Sequence, residues 1–173
     1  MQSIRSKNIK SRVYKFFPVT LLFFSVLNEF DFNNLGLKFF SFNFSYILIF
    51  YYSLKKSENM GLGLVFIAGL FNDVVVGLPM GLSSLIYLLL CGATAYLRNI
   101  TLSPNLFKDW LFFLVTILCL NSLSFMILNF FFDFEIIYFN EIINVTFTFL
   151  LYFIFSNLFD FIERLIIGAP FVR

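Results

Sequence analysis

Histidine is absent from this 173-residue chain, cysteine occurs twice, proline four times, and only 13% of residues are charged. Each shortage excludes something. Without imidazole there is no Ser–His–Asp triad, no His-ligated zinc peptidase and no histidine proton relay. Cys91 and Cys119 are isolated thiols within apolar runs. That pattern suits small packing residues, not a disulfide framework or a metal site. No metal, no other cofactor and no nucleic-acid partner is expected. No polar stretch is long enough to build a soluble domain.

What remains is strongly apolar. The chain is 60% hydrophobic with a mean hydropathy of +0.90, against roughly 45–50% apolar residues in an average soluble domain. Several runs approach the ~20 residues needed to cross a bilayer. The expected fold is an all-α integral membrane protein, one polytopic domain over residues 1–173. The 29 phenylalanines are read as codon bias, since Phe inserts into a bilayer about as well as Leu or Ile.

Six spans are predicted, over residues 16–30, 38–54, 61–76, 82–97, 109–129 and 141–159. The first is short and follows five basic residues, Arg5, Lys7, Lys10, Arg12 and Lys15. It has the charged and apolar regions of a secretory signal but no small-residue cleavage site, so it is read as a retained helix. With an inside N-terminus, eleven of the twelve Lys and Arg residues fall on the cytoplasmic side. Glu29, Asp31, Asp133 and Glu135 fall outside. This asymmetry predicts both termini in the cytoplasm. Trp110 and Tyr138, near span ends, are expected to anchor at the interface. Asn121, Asn129, Asn144 and Asn157 are attributed to packing and codon bias. Gly92 to Ala95 offers a narrow surface for close helix packing.

One segment is specific. Gly69, Asp73, Gly77, Pro79 and Gly81 place an acid and a Gly-x-Pro-x-Gly turn between spans three and four. A carboxylate at membrane depth costs roughly 2.5–3.5 kcal/mol on insertion scales, so it needs a partner or a task. Asp73 lies about 20 Å along its helix from Met60, in the outer third of a ~30 Å core. Gly69, Asp73 and Gly77 are spaced by four and share a face, where small residues let another helix approach. Three roles are open for Asp73: capping span four or the turn amides, docking a partner, or holding an ion or substrate. An intramembrane aspartyl protease needs two facing carboxylates. Asp160 sits at the opposite end, so no enzyme is expected.

The stretch Tyr51–Leu85 resembles the MreD family of bacterial rod-shape-determining membrane proteins. It matches that family's pattern at Gly69, Asp73, Gly77, Pro79 and Gly81, and the likeness extends over about residues 46–98. One departure is Lys38 and the aromatic residues after it, where relatives often carry Arg-Pro. The resemblance implies a multi-pass protein of the bacterial inner membrane that binds the bitopic partner MreC. Through it, the cytoplasmic MreB filament is coupled to the lateral cell-wall synthases. It also implies a fold similar to the substrate-binding subunits of energy-coupling-factor transporters. The alternative function is therefore a vitamin-type small-molecule binding subunit of such a transporter.

Overall fold

The structure, a computed structural model, describes residues 17–26, 42–55, 60–101, 105–132 and 138–167. These form six helices and, among the described residues, no strand. They are α1 (Phe17–Val26), α2 (Phe44–Lys55), α3 (Leu62–Val76), α4 (Leu82–Ile100), α5 (Leu106–Phe132) and α6 (Tyr138–Ile167). The basic N-terminal cluster, Lys38, and the acidic Glu29, Asp31, Asp133 and Glu135 lie outside the described residues.

The helices follow the predicted spans with shifts at their ends. α2 begins at Phe44, six residues inside the predicted start, because Phe42 and Asn43 are not helical. The Asn43 side chain instead accepts the Tyr46 N–H, as an N-terminal capping residue does. α5 and α6 run longer than predicted, at 27 and 30 residues, because no glycine or proline interrupts either run. α5 and residues Phe139–Ile162 of α6 are long and apolar enough to cross a membrane. α1 and α3 are apolar but shorter.

α2 lies at the centre. Residues Ile47 to Tyr52 are all fully buried, which is the position expected of a helix apolar on every side. α2, α4, α5 and α6 form a closed circuit of contacts, α2 against α4 and α6 and α5 against α4 and α6. α3 packs on α4. Ser25 of α1 shares a 2.9 Å hydrogen bond with Ser45 of α2. Rings fill the centre: Phe113 lies 4.8 Å from Phe50 and 4.5 Å from Tyr152, joining α2, α5 and α6.

The outside is apolar. Leu62, Phe66, Phe71 and Val74 of α3 are exposed, as are Val115, Met126 and Phe130 of α5. Buried positions, in turn, include Asp73, Ser84, Thr94, Thr148 and Ser156. The core is still mostly apolar, but large apolar groups also cover the outside, whereas the exposed apolar patches of a soluble protein are small.

Candidate functional site

The site builds from two helix ends that meet. α3 ends at Gly77, in the left-handed conformation with φ 75°. The Asp73 carbonyl accepts both the Gly77 N–H and, at 2.9 Å, the Leu78 N–H. This satisfies a carbonyl that a helix terminus otherwise leaves unpaired. α4 starts after Gly81, also left-handed with φ 98°. A glycine at that position has no side chain to cap the first turn. Asp73 supplies the cap from the other helix. One carboxylate oxygen accepts the Gly81 N–H at 2.7 Å and the other accepts the Ser83 N–H at 2.9 Å.

Asp73 thus closes one helix with its backbone and opens the next with its side chain. The positive end of the α4 dipole further favours the carboxylate. The residue is fully buried. Two charge-assisted hydrogen bonds, each worth about 1.5–3 kcal/mol, offset the cost of placing it there. Of the three roles open from the sequence, this geometry describes the capping one.

The motif residues divide the remaining work. Gly69 provides close approach: an added Cβ would fall 2.6 Å from the Ser84 nitrogen and 2.8 Å from its Oγ. Ser84 is buried there and donates to the Phe66 carbonyl at 2.9 Å. Gly77 shares the sequence face of Gly69 but does no packing, since a Cβ there would meet open space. Its role is the positive φ. Pro79 has no N–H to leave unpaired, and its carbonyl accepts the Leu82 N–H at 3.2 Å. Asn72, next to the acid, donates to Ser83 Oγ at 3.0 Å. Met80, at the tip, is 77% exposed.

The opposite end of the bundle holds a side-chain cluster that sequence reasoning missed. Lys55, closing α2, forms an ion pair with Asp160 of α6. The buried Tyr51 hydroxyl donates to the same carboxylate oxygen at 2.5 Å, and the Lys55 ammonium lies 4.5 Å above the Tyr51 ring. Tyr51, Lys55 and Asp160 carry spacing signals only in part: Tyr51 and Lys55 are one helical turn apart, but nothing local pairs them with α6.

A cavity of about 410 Å³ opens beside the corner. Its wall draws on all six helices' corner-side residues, including Ser45, Asn72, Ser83, Asn121, Asn144 and Glu141. Asn121 and Asn144, attributed to packing from the sequence, line this space, whereas Asn129 and Asn157 are exposed. Glu141 sits in the first turn of α6, where the helix dipole contributes about 0.3–1 kcal/mol. Among the described residues it makes no hydrogen bond or ion pair.

Two further expectations change. Trp110, read from the sequence as an interfacial anchor, also has a partner inside the bundle. Its ring stacks on Phe149 at 4.3 Å and its N–H donates to the Phe149 carbonyl, clasping α5 to α6. The Tyr138 side chain lies outside the described residues. Gly92 is exposed with nothing near its missing Cβ, so it gives no close helix contact. Among the described residues there is no group of three or more His, Cys, Asp or Glu placed to hold a metal ion. No family model matches the chain, and neither a curated protein nor a solved structure is significantly similar to it.

Proposed function

We propose that the chain is a non-enzymatic, multi-pass component of the bacterial inner membrane that serves the cell-elongation machinery. In this reading it links an MreC-like partner, and lateral peptidoglycan synthesis, to the MreB cytoskeleton, as proteins of the MreD family do. In it the chain crosses the bilayer six times, with both termini in the cytoplasm. The corner then faces outward and the Lys55–Asp160 pair faces inward.

The observation that carries the reading is the corner. The five motif residues, Gly69, Asp73, Gly77, Pro79 and Gly81, are brought to one place and each has its own physical task there. The result is a stiff reversal with Met80 exposed at its tip and the exposed Val74, Val75 and Val76 beside it. A rigid apolar surface of this kind suits a helical partner, because little ordering entropy is lost on contact. The apolar exterior and the long α5 and α6 support the membrane placement.

Co-purification with an MreC-type partner from native membranes tests the reading. Met80→Asp leaves the corner's hydrogen bonds intact and should reduce recovery of the partner at least fivefold. Asp73→Ala and Gly77→Leu should do so while the protein still inserts. Normal binding by all three variants makes the segment purely structural. Depletion in the native rod-shaped cell should give rounding.

The polar cavity favours a second reading, a vitamin-type binding subunit of an energy-coupling-factor transporter. Depletion would then create a vitamin requirement, and activity would depend on a paired ATPase.

A further inference from the structure

The cavity beside the corner has the dimensions and chemistry of a binding site. Its volume of about 410 Å³ lies within the 300–1,000 Å³ usual for small-molecule pockets. The polarity of its wall is unexpected in a chain this apolar. Asn121, Ser124 and Asn144 come from α5 and α6, and Asn72 and Ser83 from the corner. These are hydrogen-bonding groups turned toward one space from several helices.

Charge narrows the ligand class. Glu141 is the one ionisable acid or base among the described lining residues besides two tyrosines, and none of those described residues is Lys or Arg. Its carboxylate has no hydrogen-bond or ion-pair partner among the described residues. Glu141 is half-buried in the first turn of α6, and a cation in the cavity would offset the cost of withdrawing its carboxylate from water. Aromatic residues, Phe42, Phe44, Tyr46, Tyr87 and Phe125, line the same space. Ring faces attract cations and repel anions. A free anion would meet a like charge here with no basic group among the described lining residues to offset it.

We propose that this cavity binds a small organic cation, an aromatic or heterocyclic molecule bearing an ammonium or amidinium group, with Glu141 as counter-ion. Asn121 and Asn144 provide neutral hydrogen bonds to the rest of the molecule. The inference rests on the cavity alone. A cell-elongation component could hold such a ligand as readily as a transporter subunit could.

The test uses the full-length protein in phosphatidylethanolamine–phosphatidylglycerol nanodiscs and three probes of one shape. Tyramine carries the ammonium, 2-(4-hydroxyphenyl)ethanol is its neutral counterpart, and 4-hydroxyphenylacetate is the anion. By calorimetric titration, tyramine should bind at least tenfold more tightly than the neutral probe, with no binding of the anion. Glu141→Gln should remove that tenfold preference and leave the neutral probe unchanged. Asn121→Leu, which narrows the cavity and keeps Glu141, should weaken both tyramine and the neutral probe. It provides a second reading if Glu141→Gln fails to fold. Equal binding of the three probes, no binding of tyramine, or indifference to both substitutions overturns the proposal. So does binding that appears only in Lys38→Ala, since the chain would then supply its own cation. Partner co-purification, read on the same variants, separates failure of this inference from failure of the assembly role.

Discussion

The two ends of the bundle solve the same problem in different ways. Asp73 and Asp160 are both carboxylates on apolar helices. Asp73 is satisfied by backbone amides of the next helix, and Asp160 by the side chains of Lys55 and Tyr51. Backbone donors cannot swing away, so the first arrangement fixes chain direction and is inseparable from the fold. Side-chain donors can exchange for water. Lys55 and Asp160 are 29% and 16% exposed, so their pair is partly screened. The corner is architecture, whereas the opposite end is a latch between α2 and α6.

That contrast can be broken most sharply at Gly69. Gly69→Ala drives a Cβ into the Ser84 backbone, which cannot yield as a side-chain tip can. A loss of about 3 kcal/mol is expected, read as a lower thermal midpoint in detergent or as lost expression. Asp73→Ala comes next, at about 2–4 kcal/mol, because two amides at the start of α4 lose their acceptor. Asp73→Asn should recover part of this, since one oxygen still accepts. If Asp73→Ala is neutral, the corner is not held by its carboxylate.

Breaking the latch should cost less. Lys55→Met is expected to destabilise by about 1 kcal/mol, discounted for solvent exposure. A double-mutant cycle with Asp160→Leu should show coupling that shrinks in high salt. Salt should leave the Asp73→Ala effect nearly unchanged. Equal salt sensitivity at both ends would erase the distinction. Gly92→Ala is the smallest change and has the opposite sign. It meets nothing within 4 Å and should stabilise α4 by about 0.5 kcal/mol through helix propensity. Gly69 and Gly92 differ only in what stands opposite them.

The corner was legible because it is local. Asp73, Gly77 and Gly81 lie within nine residues, and their spacing implies a tight reversal beside a carboxylate, with capping one of three roles open to it. Sequence spacing did not separate the tasks of Gly69 and Gly77, since a shared face does not reveal which residue has a helix against it. The Lys55–Asp160 pair spans 105 positions, and no local pattern announces it. The same holds for the cavity. Asn121, Asn144 and Glu141 look like scattered polar residues until α5 and α6 are set against α2 and the corner.

By itself, then, the sequence determined that the chain is helical, that its apolar runs need a nonaqueous surrounding or a shared core, and that it turns sharply between Asp73 and Gly81. Hydropathy and backbone freedom are properties of single residues and their near neighbours. The tertiary structure alone decided that Asp73 caps a second helix, that Lys55 meets Asp160, and that Glu141 faces a polar space. Those outcomes depend on which helix faces which, and that is set by packing of the whole bundle around α2.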